Sequence, residues 1–201
     1  MEVKMPRTPE ENERIRQATI EKIRAAAMEL FMKQGYYATS ISDIAKHARF
    51  SKGLLYNYYK GKEELLSEMV KDRIGEVAEV MSEAFSLETP KEQLTSIVNG
   101  AIDNIHKNPE VHRFYLHLQT QPEADVDLIK YSRLIIEENA RLFELQCKIF
   151  ERMGESEPRR RSLYFSSVLQ GIMLMIATYP QKFPIEELKQ QIIREFCNKR
   201  H

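Results

Sequence analysis

Between Thr39 and Lys62 the chain gathers lysines, tyrosines, an asparagine and a glycine at spacings that suit a polyanionic duplex. Lys52 and Lys62 can neutralise phosphates, and the phenols of Tyr56 and Tyr58 can donate to phosphate oxygens. Gly53 lets the main chain come close to a groove, and Ser40, Ser42 and Ser51 complete the candidate DNA-binding set. Leu54 and Asn57 are the candidate readers: an apolar side chain touches a thymine methyl, and an asparagine amide pairs with an adenine edge.

These residues need two short helices to present them. Ser40 is a good N-cap type, and Ile41, Ile44, Ala45 and Ala48 follow at helical spacing, so one face of a first helix can be buried. Ser51 can cap a second helix whose inner face carries Leu55 and Tyr59, leaving Lys52, Gly53, Leu54, Tyr56, Asn57 and Tyr58 outward. Two helices joined by a three- to four-residue turn form a helix-turn-helix, whose second helix enters the major groove. A pair of ordinary core helices with a solvated aromatic face is the alternative that uses the same pattern.

The stretch resembles the DNA-binding signature of TetR-type repressors. Thr39-Ser40, Ile44-Ala45, Ser51-Lys52-Gly53, Leu55-Tyr56, Tyr58-Tyr59 and Lys62-Glu63-Glu64-Leu65 match that signature in order and spacing. One position departs: Arg49 stands in the turn where the family usually has glycine, so a left-handed backbone there carries a steric cost. The resemblance implies an all-helical fold, with an N-terminal three-helix DNA-binding domain and a larger helical domain that binds small molecules and dimerises.

Composition is compatible with this and selects nothing further. The 201 residues are 42% hydrophobic, and 30 basic residues balance 30 acidic ones. The charge is unevenly spread, however: residues 33–62 hold Lys33, Lys46, Arg49, Lys52, Lys60 and Lys62 against the single acid Asp43. Such a patch predicts duplex affinity that falls steeply with salt. Cys147 and Cys197 have no metal-ligand spacing and read as reduced thiols in a cytoplasmic protein. Neither a secretory leader nor a membrane-spanning apolar run is present. No nucleophile with a base, suitably placed carboxylate pair or phosphate-cradling glycine loop occurs, which argues against an enzyme and implies no cofactor.

Taken in order, residues 1–13 read as an irregular arm whose Arg7 can reach a minor groove. A helix follows over about 13–34, closed by Gly35. The helix-turn-helix pair completes a DNA-binding domain at 1–62, and residues 63–201 form the second domain. That domain opens with a long helix from Lys62 to about Phe85, a rigid rod common to both. Thr89-Pro90 with Glu92 signals a new helix start, and Asn108-Pro109 ends that helix near Lys107. A short helix to Gln119 follows, then one over 124–152 with Leu128, Ile135, Leu142 and Ile149 seven apart, and two more over 159–178 and from Ile185.

The last two helices carry an apolar surface suited to a second copy, with Leu163, Val168, Gly171, Ile172 and Met175 on one and Ile185, Leu188, Ile192 and Phe196 on the other. A two-fold homodimer also suits a palindromic operator. The candidate ligand-binding set is Met81, Phe85, Ile102, Phe114, Tyr115, Phe143, Tyr164 and Met173, large adaptable side chains on the middle helices. Its assignment to a small-molecule effector rests mainly on the resemblance, since plain core gives the same pattern. His106, His112 and His117 are spaced by six and five, which does not stack two imidazoles on one helix face, so no metal site is expected. Arg159, Arg160 and Arg161 are expected to pair with Glu155 and Glu157.

The expectation is a ligand-released, sequence-specific transcriptional repressor. A ligand-responsive activator and a helical protein-interaction module are the alternatives.

Overall fold

A computed structural model of the chain describes residues 8–122, 125–179 and 183–197. Among these residues there are nine α-helices and no strand: α1 Pro9–Gln34, α2 Ile41–His47, α3 Lys52–Tyr56, α4 Lys62–Ser86, α5 Pro90–Lys107, α6 Pro109–Gln119, α7 Ile129–Arg152, α8 Pro158–Thr178 and α9 Ile185–Cys197. The chain divides into two compact units, Met1–Met69 and Val70–His201, and α4 contributes residues to both.

In the first unit, α1 begins four residues earlier than its apolar stripe indicates. Thr8 accepts a hydrogen bond from the Glu11 amide (3.2 Å), Pro9 occupies the first turn, and Glu10 and Glu11 lie at the positive helix end. Those are polar start signals, invisible to hydrophobic periodicity. Arg7 lies outside the described residues. Ile23, Ala27, Leu30 and Phe31 of α1 are buried, as are Ile41, Ile44, Ala45, Leu55, Tyr59, Leu65, Leu66 and Met69, and α2 packs on both α1 and α3.

In the second unit α8 packs on α5, α6 and α7, and α9 packs on α5 and α8. Phe150, Phe165 and Phe196 meet edge to face at its centre, with centroids 5.1 to 6.4 Å apart. Helix α5 starts on the expected Thr89–Glu92 capping box. Helix α7 starts at Ile129, five residues later than expected, because Asp125 accepts from the Leu128 amide (3.0 Å) and holds the preceding residues in a turn. The three arginines at the start of α8 all pair with acids. Arg160 bonds Glu157 and Arg161 pairs with Glu155 (3.7 Å) as expected, while Arg159 reaches Glu144 on α7 and Arg161 also bonds Glu195 on α9. Cys147 and Cys197 are buried free thiols. No described helix is long and apolar enough to cross a membrane.

Candidate nucleic-acid interface and effector cavity

The helix-turn-helix is built by caps. Ser40 and Asp43 form a reciprocal capping box: the Asp43 amide donates to Ser40 Oγ (3.1 Å) and the Ser40 amide to Asp43 Oδ2 (2.9 Å). The hydrogen bond from the Ser40 hydroxyl, then that from its amide, holds the Asp43 carboxyl below its usual range. Ser51 Oγ accepts from the Leu54 amide (3.1 Å) and starts α3. Two of the expected contact serines therefore already serve as caps, Ser40 with its hydroxyl proton engaged. Ser42 is exposed and free of such duty among the described residues.

The turn between α2 and α3 is a Schellman closure, in which the Phe50 amide donates to the Ala45 carbonyl (2.9 Å) and the Arg49 amide to the Lys46 carbonyl (3.2 Å). That closure requires a left-handed residue at Arg49, whose φ is 60°. Positive φ costs a non-glycine residue about 1–2 kcal/mol, while glycine returns about 0.4–1 kcal/mol through the freer unfolded chain. Arg49→Gly is thus expected to stabilise the protein by roughly 0.5–1 kcal/mol, visible as a higher Tm. It should also make duplex binding less salt-dependent, since the exposed guanidinium is lost from the basic patch.

Helix α3 buries Leu55 completely and leaves Lys52, Gly53, Tyr56 and Asn57 exposed, with Tyr56 at 48%. Leu54 and Tyr58 are half-buried. Lys52 Nζ lies 5.8 Å from the centroid of the Tyr56 ring one turn later, so charge and phenol occupy one patch. A Cβ on Gly53 would meet nothing within 4 Å and its φ is ordinary, so no intramolecular contact demands glycine there. Gly53→Ala is expected to stabilise α3 by up to about 1 kcal/mol and, if the exposed face meets a duplex as the sequence implies, to weaken that binding through the added methyl. Thermal melting and fluorescence anisotropy on the same preparation read both effects.

Lys62 departs from expectation. Its ammonium donates to the carbonyls of Tyr36 (2.8 Å), Tyr37 (3.2 Å) and Thr39 (3.0 Å) and lies 4.4 Å from the Tyr36 ring centroid. All three N–H protons are committed, so Lys62 ties the turn after α1 and is not available to a phosphate without breaking those bonds. The same turn is closed by Gln34, which donates to Thr39 Oγ1 (3.2 Å), and by Thr39, which donates to the Gly35 carbonyl (2.8 Å).

In the second unit a cavity of about 330 Å³ opens among α4, α6, α7 and α8. Of the expected ligand residues only Tyr115 and Met173 line it. Met81 and Ile102 are buried in the core cluster, Phe85 packs against that cluster, and Phe114 is buried edge-on to Tyr115. The Phe143 ring has the Arg159 guanidinium 5.4 Å from its centroid, and the half-exposed Tyr164 ring packs on Phe196. Arg73, Val77, Leu116, Gln119, Ile135, Asn139, Gln170 and Leu174, not selected from sequence, also line the cavity, as does His112, expected in solvent or at a pocket rim. They recur three or four apart on each helix, a signal that becomes legible when polar positions are counted with apolar ones. Burial first, and the neighbouring Arg73 charge second, push the His112 imidazole below its ordinary pKa of 6.5. His106 and His117 are exposed, and no cluster of three metal-ligating side chains occurs among the described residues.

The expected dimer residues also separate. Ile192 and Phe196 are 2% and 1% exposed, spent on the unit's own core, and have almost no surface to give a partner. Val168, Ile172 and Leu188 are half-buried along a groove between α8 and α9, and Gly171 and Met175 are exposed. Leu163, expected on this surface, is exposed on α8, as are Leu174, unselected from sequence, and Tyr179 just past the helix end.

Comparison with known proteins agrees with this architecture. The family model described as bacterial regulatory proteins, tetR family, matches residues 23–69, which span the helix-turn-helix and its supporting helices. The fatty acid metabolism regulator protein of Bacillus subtilis is 35% identical over 75 residues, covering 37% of this chain and 39% of that protein. The HTH-type transcriptional regulator BetI 1 of Chromohalobacter salexigens is 24% identical over 169 residues, 82% of each chain. The solved structure of the fatty acid degradation regulator FadR from Bacillus halodurans has the same fold, with a TM-score of 0.67 over 95% of this chain and 96% of that one at 16% identity. Residues 23–69 thus match the helix-turn-helix domain of the TetR family, and the chain shares its fold with solved transcriptional regulators.

Proposed function

We propose that the protein is a cytoplasmic, homodimeric repressor that occupies a palindromic operator through its first unit and leaves it when a small molecule enters the second. The observation that carries the reading is the exposed set Lys52, Gly53, Tyr56 and Asn57 on a helix whose other face is fully committed to the core. Lys52 and Tyr56 would hold phosphates, Asn57 and the exposed part of Leu54 would meet base edges, and Gly53 would admit the groove wall.

A single five-residue α3 reads too few base pairs to select one site, so specificity needs two copies spaced by a DNA turn. The apolar strip on α8 supports pairing through Leu163, Gly171 and Met175, with Leu188 of α9 beside it. Release requires that ligand bind the DNA-competent and DNA-incompetent shapes with different affinity. Helix α4 is suited to carry that difference: it supplies Lys62 to the first unit and Arg73, Ile74 and Val77 to the cavity wall. The related proteins named for fatty acid regulation support a metabolite as effector.

Selection of bound duplexes from a random pool tests the operator reading, and an inverted repeat is the expected product. Leu163→Asp with Met175→Asp should give a folded monomer by sedimentation, with duplex affinity lowered by at least about a hundredfold. A monomeric variant that binds the selected duplex as well as the parent contradicts the dimer reading.

A further inference from the structure

We propose that the cavity of the second unit takes a small carboxylate with an apolar body, gripped by the unengaged side of the Arg73 guanidinium and by the His112 imidazole. The proposal rests on the effector reading for its use in regulation, while its chemistry comes from the cavity itself.

Much of the lining is apolar, with Ile74, Val77, Leu116, Ile135 and Met173, and 330 Å³ suits a body on the order of a dozen heavy atoms. Arg73 also lines the cavity, with its side chain 17% exposed. Among the described residues only its Nη1 donates hydrogen bonds, to Glu76 Oε2 (3.1 Å) and Asn104 Oδ1 (3.3 Å), and its guanidinium carbon lies 5.9 Å from the Tyr115 ring centroid. Its Nε and Nη2 donors have no hydrogen-bond partner among the described residues, and those two nitrogens form the edge of the guanidinium that matches two carboxylate oxygens. The imidazole of His112, on the same cavity wall, also has no hydrogen-bond partner among the described residues.

The charges select the sign of the ligand. Glu138 also lines the cavity, but Arg141 donates to both its oxygens (2.9 and 2.6 Å), so it offers no free carboxylate to an amine. Arg73 already disfavours a proton on His112, and the same field disfavours a cationic ligand. Glu76 offsets part of the Arg73 charge, yet its carboxylate is 61% exposed and well solvated. Gln119, Asn139 and Gln170 are neutral and add hydrogen bonds without changing this balance.

The test is calorimetric titration of the full chain with three probes that differ only in head group: phenylbutyrate, phenylbutanol and phenylbutylamine. The acid is expected to bind about tenfold or more tightly than the alcohol, and the amine most weakly. Arg73→Met should erase the acid's advantage while leaving alcohol binding in place, and Arg73→Lys, which keeps charge but loses the fork, should retain only part of it. In imidazole NMR the acid should raise the titration midpoint of His112 and the alcohol should not. Equal or tighter binding of the alcohol or amine, an unchanged advantage in Arg73→Met, or no saturable acid binding up to about 5 mM overturns the assignment. Acid binding that leaves duplex affinity unaltered upholds the carboxylate site and removes the effector reading. Duplex release by the alcohol as readily as by the acid does the reverse.

Discussion

Replacing Lys62 with methionine is expected to destabilise the first unit by about 2–3 kcal/mol. The variant keeps the apolar stem but leaves the carbonyls of Tyr36, Tyr37 and Thr39 without their shared donor. Each hydrogen bond from a charged donor contributes about 1.5–3 kcal/mol in isolation, but all three share one partly exposed ammonium, and water recovers part of what the carbonyls lose. Chemical denaturation reads the loss as a lower midpoint at constant slope. Duplex affinity, measured where the variant is still folded, should change little, because the ammonium has no free proton to offer a phosphate. A large affinity loss with unaltered stability would return Lys62 to the DNA-contacting set.

The double variant Lys52→Ala, Tyr56→Phe should behave in the opposite way. Both side chains lie on the exposed side of α3 and hold no buried contact, so stability should shift by less than about 0.5 kcal/mol. Affinity for a selected duplex should fall by about 30- to 100-fold, from two lost phosphate contacts of roughly 1–1.5 kcal/mol each. The slope of log affinity against log salt should become shallower by about one unit, since only Lys52 carries charge. Anisotropy titrations across a salt series separate the two contributions. An unchanged slope would place Lys52 away from the backbone.

The contrast between these variants shows what a linear sequence reveals. Leu55 and Tyr59 announce which side of α3 and of the turn after it is buried, because burial follows helical periodicity, so the sequence alone assigns Lys52, Tyr56 and Asn57 to the outer side. Lys62 is not so assigned, because its partners are main-chain carbonyls 23 to 26 residues away, and carbonyls leave no mark on side-chain pattern. Arg49 shows a local rule holding against its residue type: the Schellman geometry needs positive φ, and it is adopted despite the side chain. The second unit was less legible. An apolar stripe on α9 is the same signal whether it faces its own core or another copy, and Ile192 and Phe196 face the core. In the cavity, hydrophobic counting favoured Met81 and Ile102, which pack tightly and leave no space. The residues around the actual space include Arg73 and His112, whose polarity hid them from that count.

The central claim is that the exposed side of α3 and its flanking turns meet duplex DNA. Amide chemical-shift mapping of isotope-labelled protein titrated with a selected duplex tests it most directly. The largest shifts are expected across Ser40–Ser42 and Ser51–Tyr58, diminishing as salt is raised. Shifts confined to α5 to α9, or none at saturating duplex, would contradict the account.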